Sequence, residues 1–431
     1  MNTMLRNPEE LSLVDTAQRV MPGGGFGNVS YDVVVARGKG SRVWDQSGNE
    51  YIDYLMGSGP MIVGHAHPEV VAAVQAQVAD GMTFFANNAH AIRLAEVIVE
   101  AVKCAEKVRY VSTGSEADMY AMRLARAFTR RDKMLKFEGG YHGMSDFSLM
   151  SLSPKRTSNF PQPLPDSSGI PKSLRDEMLV APYNDLEIVR SIVREHKGEL
   201  AGIIVEPFQR LISPKPGFLE GLRKIADDNG LVLIFDEVVT GFRFAYGGAQ
   251  AYYGVTPDLC TLGKAIGGGF PLAAIAGRAD IMAHFDKGAV KEEDFVLQIG
   301  TLSGNPVAAV AGLKTLEILK RPGAYEKIFA TGRAVMDGYR RILKATRVPA
   351  QVIGEPPMFD ICFTDREVVD YRTAMGDAEK QKRYSTLFRE RGILKSENKH
   401  YISLAHDERD VTETLVAFEG SMKVMASELR K

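Results

Sequence analysis

The chain lacks a basic charge excess, a cysteine framework and an apolar run of membrane length. Its 431 residues carry 53 Lys and Arg against 54 Asp and Glu, so its net charge offers little to nucleic acid or an anionic membrane. Its three cysteines, Cys104, Cys260 and Cys362, stand too far apart for a disulfide framework or a zinc pattern. No apolar run approaches the roughly 20 residues of a membrane helix, and no apolar core of a secretory signal is visible near the N-terminus. We therefore expect a cytoplasmic protein with no nucleic-acid or membrane partner.

Several ligand-binding motifs are also missing. The chain has no GxxxxGK[ST] sequence, which excludes a P-loop, and no GxGxxG follows the first strand of its α/β region, which counts against a Rossmann site. His65 and His67 stand close together, but no cysteine, aspartate or third histidine lies at ligand spacing. We therefore predict no metal site.

The order of apolar segments predicts the fold. Between residues 107 and 276, strand-like apolar runs alternate with helical patterns, which predicts an α/β fold with a mostly parallel sheet covered by helices. The chain divides into three predicted parts. Residues 1–55 form an N-terminal segment that joins a smaller α+β domain, residues 56–320 form the large domain, and residues 321–431 form the C-terminal small domain.

The stretch from 231 to 271 carries the most chemical information. Leu231–Phe235 is an apolar run that ends on Asp236 and Glu237, and open α/β sheets bind ligands beyond the carboxyl ends of their strands. A second apolar run ends at Lys264, before three glycines, which suits an amine whose pKa is lowered by burial for Schiff-base chemistry. A lysine and a carboxylate at neighbouring strand ends are the two groups that pyridoxal phosphate requires. Either residue alone is more typical of an exposed position.

Two glycine-containing turns supply further candidates. Ser112–Ala117 opens a helix, where free N–H groups and hydroxyls favour a phosphate, although the same letters also form an ordinary capping box. Tyr141 and His142 stand between glycines after a predicted strand, where an aromatic ring either stacks on a flat cofactor or packs in the turn. Glu206 ends another strand and adds an acid at this edge.

Together these motifs resemble the class III pyridoxal-phosphate-dependent aminotransferases of fold type I, in the branch of glutamate-1-semialdehyde aminomutase. The resemblance runs from about Met21 to the end of the chain. It rests on MPGGG, YIDYLMGSGPMIVGHAHP, STGSEAD, RLARAFTRRDKMLKFEGGYHG, VEP, DEVVTGFR, LGKAIGGGFP, GTLSGNP and YISLAH, in family order. It implies pyridoxal 5′-phosphate as the cofactor of the large domain. It also implies a small-molecule amino donor, a keto acceptor and a homodimer with shared active sites.

The resemblance also assigns roles to individual residues. Lys264 would be the catalytic lysine that forms the Schiff base and then moves the proton, and Asp236 would pair with the pyridine nitrogen. The other expected cofactor contacts are phosphate binding by Gly114 and Ser115, stacking by Tyr141 and Val238, His142 beside the ring, and a phosphate contact from the second subunit by Thr301.

Several positions depart from the patterns of related enzymes and bear on the substrate. Leu211 stands where the ornithine and GABA enzymes have a glutamate that forms a substrate switch, and Val239 replaces a glutamine of many class III aminotransferases. Residues 26–31 lack the arginine that holds the substrate carboxylate in the aminomutases. Ser58 replaces their tryptophan, which should widen the pocket. The expected substrate pocket comprises Ser58, Tyr31, Phe85 and Glu206, with Phe84 as a further candidate wall, although both phenylalanines are equally typical of a core.

The sequence therefore predicts an aminotransferase that moves an amino group from an amine or (β-)amino acid donor to a keto acid. One alternative is a 2,1-aminomutase of the glutamate-1-semialdehyde type, against which the missing arginine counts. A class III amino-acid epimerase or racemase is another. A non-catalytic pyridoxal-phosphate-binding protein is an alternative of a different class, against which the presence of both Lys264 and Asp236 argues.

Overall fold

A computed structural model describes residues 6–28 and 33–429. By their internal contacts the residues form two units. The small unit comprises Met1–Pro68, Pro322–Glu367 and Met375–Lys431, and the large unit comprises Glu69–Arg321 and Val368–Ala374. The predicted division at residues 55 and 320 stays a prediction.

The strands are numbered in chain order. Those of the small unit before the large one are β1 Val35–Lys39, β2 Arg42–Asp45 and β3 Glu50–Asp53. Those of the large unit are β4 Lys107–Val111, β5 Lys133–Phe137, β6 Met178–Ala181, β7 Leu200–Val205, β8 Val232–Glu237, β9 Leu259–Leu262 and β10 Ala273–Gly277. The small unit continues with β11 Gln351–Glu355, β12 Met358–Cys362, β13 Ile393–Leu394 and β14 His400–Tyr401.

The helices are also numbered in chain order. They are α1 Pro8–Val20, α2 Pro68–Asp80, α3 Ala89–Ala101, α4 Gly114–Thr129, α5 Leu186–Glu195, α6 Phe218–Asn229, α7 Gly248–Tyr253, α8 Ala279–Met282, α9 Pro306–Leu319, α10 Ala324–Thr346, α11 Tyr371–Ala374, α12 Ala378–Arg389 and α13 Glu408–Glu428. In the part of the chain that the structure describes, none of these helices has the length and apolarity needed to cross a membrane.

The large unit is built on a seven-stranded sheet with the order β4-β10-β9-β8-β7-β5-β6. Its pairs β5–β6, β5–β7, β7–β8 and β8–β9 are parallel, which confirms the predicted α/β fold with a mostly parallel sheet. Every residue of β7, β8 and β9 is buried, as expected for strands covered on both faces. Helix α4 packs against β7, β8, β9 and β10.

Strand β10 departs from the parallel pattern. It runs antiparallel to both of its neighbours, β9 and β4. The connection between β9 and β10 is shorter than the dozen or more residues that a parallel crossover requires, so the chain returns in the opposite direction. Because β4 is reversed relative to β10 in turn, β4 points the same way as β9. The carboxyl ends of β4, β5, β6, β7, β8 and β9 therefore lie at one edge of the sheet.

The small unit has two sheets and its own core. One sheet has the order β1-β2-β3-β13, with β13 parallel to β3, and the other has the antiparallel order β11-β12-β14. Tyr339 of α10 stacks on Phe418 of α13 with ring centroids 3.7 Å apart. The buried amine of Lys395 lies 2.7 Å from a carboxylate oxygen of the equally buried Asp360. This pairing satisfies two charges that would be costly to bury alone.

Candidate active site

Lys264 follows β9 and begins a short 3₁₀ turn, Lys264–Gly267. Its φ of +48° lies in the left-handed region, which costs a residue with a Cβ about 1–2 kcal/mol. The side chain is half-buried. Within residues 6–28 and 33–429 its Nζ has no hydrogen-bond or ion-pair partner. The fold therefore holds a free amine on a strained backbone at the edge where six strands end.

Asp236 lies on the neighbouring strand, and its backbone pairs with Thr261 in the register between β8 and β9. Its carboxylate is only 5 % exposed. Oδ2 lies 2.8 Å from His142 Nδ1, and Oδ1 accepts a hydrogen bond from the Val238 N–H at 3.1 Å. An ionised carboxylate only accepts hydrogen bonds, so this contact with an ionised Asp236 requires the His142 tautomer that carries a proton on Nδ1. The arrangement fixes both side chains at the sheet edge.

A second buried carboxyl group, that of Asp118 on α4, lies next to Asp236. One ligand atom each of Asp118, His142 and Asp236 lie within 4.8 Å of one another. The Thr261 hydroxyl donates to Asp118 Oδ1 at 2.6 Å and lies 3.4 Å from Asp236 Oδ1. Burial, and then the charge of Asp236, raises the pKa of Asp118 well above its usual range. Asp118 therefore holds its proton at pH values where an ordinary aspartate is ionised.

Glu237 points to the opposite face of the sheet from Asp236, since successive strand residues alternate. Its fully buried carboxylate accepts hydrogen bonds from the backbone of Ala249 and from the Gln250 side chain, the latter at 2.9 Å. The Thr240 hydroxyl donates to it at 3.2 Å. Of the two acids at the end of β8, Glu237 therefore anchors the start of α7, and only Asp236 faces the edge that carries Lys264.

The start of α4 offers backbone N–H groups to an anion. Thr113 and Glu116 form a reciprocal capping box. In the part of the chain that the structure describes, the N–H groups of Gly114 and Ser115 have no partner. These groups lie at the positive end of a 16-residue helix, a favourable place for a phosphate. A Cβ on Gly143 would lie 2.4 Å from Ser115 Cα, so the glycine turn after β5 closes on this helix end.

Val238 links the helix end to the lysine turn. A Cβ on Gly114 would lie 3.0 Å from Val238 Cγ1, and a Cβ on Gly263 would lie 3.1 Å from the same atom. The isopropyl group therefore sits between the first residue of α4 and the residue that precedes Lys264. A side chain at either position would press on this isopropyl group, which would have to move by a few tenths of an ångström.

Tyr141 and Glu206 are also brought to this edge. The Tyr141 N–H donates to Glu206 Oε2 at 2.9 Å, and Glu206 is buried. The Arg210 guanidinium carbon lies 5.6 Å from the centre of the Tyr141 ring. Burial raises the pKa of the Tyr141 hydroxyl, so its ring stays neutral at physiological pH.

The other residues predicted to bind cofactor or substrate are not among the buried groups at this edge. Thr301 is exposed in a turn, and Phe84 and Phe85 are 51 % and 69 % exposed, so neither phenylalanine is a core residue. Ser58 lies in the small unit, exposed and with a φ of +68°. Tyr31 lies outside the described residues.

The residues at the edge fit pyridoxal phosphate. Unpaired N–H groups at the start of α4 suit the phosphate, the buried carboxylate of Asp236 suits a protonated ring nitrogen, and the free amine of Lys264 suits an aldehyde. His142 Nε2 is buried and lacks a partner among the described residues, so the pocket retains an unused polar atom beside Asp236.

Sequence reasoning missed three ionisable residues around this edge: Asp118, Lys136 and Arg210. Asp118 stands one helical turn after Gly114, a spacing that places both on one face of α4. Lys136 stands between the apolar residues Leu135 and Phe137 within β5, which is itself a signal of a buried amine. Arg210 lies four residues after Glu206, the acid that follows β7, and nothing else in the neighbouring sequence marks it as a site residue.

Comparison with known proteins supports one family. The aminotransferase class-III family profile matches residues 26–406. A glutamate-1-semialdehyde 2,1-aminomutase from Roseiflexus castenholzii is 42 % identical over 405 residues, which cover 92 % of this chain and 91 % of that protein.

Solved structures agree with this assignment. The crystal structure of an omega-transaminase from Sphaerobacter thermophilus is 34 % identical with a TM-score of 0.91, covering 96 % of this chain and 97 % of that one. A transaminase with PLP bound is 30 % identical with a TM-score of 0.90, covering 99 % of this chain and 100 % of that one. The chain therefore belongs to the class-III aminotransferase family, whose cofactor is pyridoxal 5′-phosphate.

Proposed function

We propose that this protein is an aminotransferase that moves an amino group from an amine or β-amino acid donor to a keto acid acceptor. The observation that carries the proposal is the placement of the free Lys264 amine and the buried Asp236 carboxylate at the ends of two adjacent parallel strands. One group would hold the cofactor aldehyde and the other its ring nitrogen.

The contacts of the site indicate how the chain would hold the cofactor. When bound, pyridoxal phosphate supplies an aldehyde that condenses with amines and a ring that withdraws electrons from the neighbouring carbon. The N–H groups of Gly114 and Ser115 would hold the phosphate. Val238 and Tyr141 would cover the ring faces, and Asp236, fixed by His142, would keep the ring nitrogen protonated.

Lys264 would act as the base once a donor amine has released it from the cofactor. Its Nζ would accept the proton from the amine-bearing carbon of the donor and deliver it again within the same site. A positioned base of this kind typically contributes 10²–10⁴-fold to the rate. The left-handed backbone of Lys264 and the adjacent Gly263 set the direction in which this side chain leaves the main chain.

We propose that the protein works as a homodimer. Thr301 is exposed, and Leu297, Ile299 and Leu302 around it are exposed large apolar residues. Asn88 Nδ2 donates to the Gly304 carbonyl at 2.8 Å, which ties this turn to the segment that follows the exposed Phe84 and Phe85. Several exposed large apolar residues in one region are typical of an interface, and a second copy would bring Thr301 to the phosphate of the first.

A 2,1-aminomutase is the second candidate, because a protein with that name is 42 % identical to this chain. The two functions differ in their products. An aminotransferase releases a free keto product from the donor when no acceptor is present, whereas an aminomutase returns an isomer of its substrate.

The test follows product release and the cofactor absorption band after donors are added to the cofactor-loaded protein without acceptor. We expect one equivalent of keto product per site from at least one amine or β-amino acid. Conversion of glutamate 1-semialdehyde to its isomer, with no keto product from any donor, would establish the aminomutase instead.

Replacement of the lysine tests its assignment separately. We expect Lys264→Ala to lose turnover while the cofactor still binds, and borohydride to attach the cofactor covalently to the wild type only. Lys224→Ala removes an exposed lysine that pairs with Asp228 and should behave as the wild type. Covalent attachment in the Lys264→Ala protein would contradict the assignment.

A further inference from the structure

Arg210 lies in a tight turn beside the proposed cofactor pocket. The turn runs from Gln209 to Ile212, and the Ile212 N–H donates to the Gln209 carbonyl at 2.8 Å. Arg210 is the first central residue of this turn and has a φ of +63°. Glycine is favoured at such a position because a Cβ is strained there. The chain therefore has an arginine at a position whose backbone conformation is unfavourable for any residue with a Cβ. Strained positions of this kind are concentrated at functional sites.

The surrounding contacts fix this turn in place. Gln209 Nε2 donates to the Glu138 carbonyl at 2.8 Å, and Gln209 is 1 % exposed. The Tyr183 hydroxyl donates to the Pro207 carbonyl at 3.0 Å. Leu211 is buried on the other side of Arg210. The half-buried arginine therefore projects from an immobilised backbone.

The guanidinium of Arg210 has no anionic partner within residues 6–28 and 33–429. No hydrogen bond or ion pair reaches it there, and its described neighbour is the Tyr141 ring, 5.6 Å away. Glu206, the nearby acid, already accepts from the Tyr141 N–H. By contrast, Arg372 of the same unit lies 2.7 Å from a carboxylate oxygen of Glu138. Arginine is well suited to hold a carboxylate through two parallel hydrogen bonds.

We infer that Arg210 binds the carboxylate of an amino-acid or keto-acid substrate above Tyr141. The inference rests on the proposed function, since it places the substrate beside the ring that would cover the cofactor. It also supplies a carboxylate-binding arginine to a chain that has none at residues 26–31. The substrate class narrows accordingly, from amines in general to donors that carry an acid group.

The first experiment measures binding without turnover. Titration calorimetry with 3-phenylpropionate, which has no amine to react, gives a Kd for the cofactor-loaded protein. We expect Arg210→Met to raise this Kd at least tenfold and Arg210→Lys to raise it less, because lysine keeps the charge but not the planar fork. In Arg210→Gly the left-handed turn carries no strain, so this variant should fold even if Arg210→Met folds poorly. We expect its Kd to be raised at least tenfold as well.

The second experiment compares two donors that differ only in the carboxylate. For 3-amino-3-phenylpropionate we expect kcat/KM to fall at least tenfold in Arg210→Met, mainly through KM. For 1-phenylethylamine, the same molecule without its carboxylate, kcat/KM should stay within twofold of the wild-type value. Arg123→Met is the matched control, since Arg123 also lies over a tyrosine ring, at 4.9 Å from Tyr120, but is exposed.

Several outcomes would overturn the inference. These are a wild-type Kd retained by both Arg210→Met and Arg210→Gly, equal losses of kcat/KM for the two donors, or no binding of 3-phenylpropionate by the wild type. If no donor yields a keto product, the proposed aminotransferase activity fails, while the calorimetric comparison still decides the role of Arg210.

Discussion

Replacement of Lys136 by methionine tests the electrostatics of the sheet. Lys136 is a fully buried residue of β5, and its Nζ donates to the Ser148 carbonyl at 2.8 Å. Burial lowers the pKa of this amine to about 7, although the charges of Asp166 and Glu206 oppose the change. The folded protein therefore releases this proton at a much lower pH than the unfolded chain, which keeps the ordinary pKa of 10.5.

The magnitude follows from these two values. Below pH 7 the amine is protonated in both states, and the folded state pays the full penalty. Above pH 10.5 it is neutral in both states, and the penalty disappears. At 1.36 kcal/mol for each tenfold difference in proton affinity, the full penalty is about 5 kcal/mol, and about 3 to 4 kcal/mol of it disappears between pH 7 and pH 10. Methionine removes this pH dependence, at a constant cost of about 1 kcal/mol for the lost hydrogen bond.

The assay is urea unfolding of the wild type and of Lys136→Met from pH 6 to pH 10. We expect the variant to gain stability over the wild type as the pH falls, so that the difference in unfolding free energy is largest at pH 6. Lys224→Met, at a side chain 75 % exposed, should show a difference that changes little with pH. A Lys136→Met difference that is constant, or that grows with rising pH, would refute the reasoning.

Two further predictions concern residues near Asp236 and near the turn that begins at Lys264. Because the pKa of Asp118 is raised by burial and by Asp236, its stabilisation is lost as the pH rises. Asp118→Asn should therefore gain thermal stability relative to the wild type between pH 4 and pH 8, and a constant difference would contradict this. A Cβ on Gly312 would lie 1.9 Å from the Ile266 carbonyl oxygen. Gly312→Ala should therefore cost about 1–3 kcal/mol in urea unfolding and weaken cofactor retention, whereas Gly25→Ala, which meets nothing within 4 Å, should do neither.

The fold was largely predictable because burial leaves a clear pattern in the sequence. Strands such as β7 and β9 are continuous apolar runs, and the helices between them are amphipathic or capped, as Thr113 shows at the start of α4. The direction of β10 was not predictable from its own residues, since a strand of apolar residues can be buried equally well parallel or antiparallel to its neighbours. The short connection after Lys264 decides that direction.

The candidate site was predictable to the extent that its residues follow strands. Asp236, Glu206 and Lys264 each stand at or just after a strand end, and parallel strands bring such positions to one edge. Asp118 and Arg210 could not be predicted in this way. The significance of Asp118 depends on the buried carboxylate that the fold places beside it. The significance of Arg210 depends on the Tyr141 ring beside it and on the lack of an ion-pair partner among the described residues.

Because side chains alternate along β8, a change in the length of this strand would exchange the faces to which Asp236 and Glu237 point. Deletion of one residue within Val232–Phe235 would turn Asp236 away from the pocket and present Glu237 in its place, while leaving the composition of the strand almost unchanged. The start of α7 would lose its carboxylate at the same time. Laboratory evolution of this protein should therefore accept substitutions in β8 far more readily than single-residue insertions or deletions, and length variation should gather in the loops beyond the strand ends.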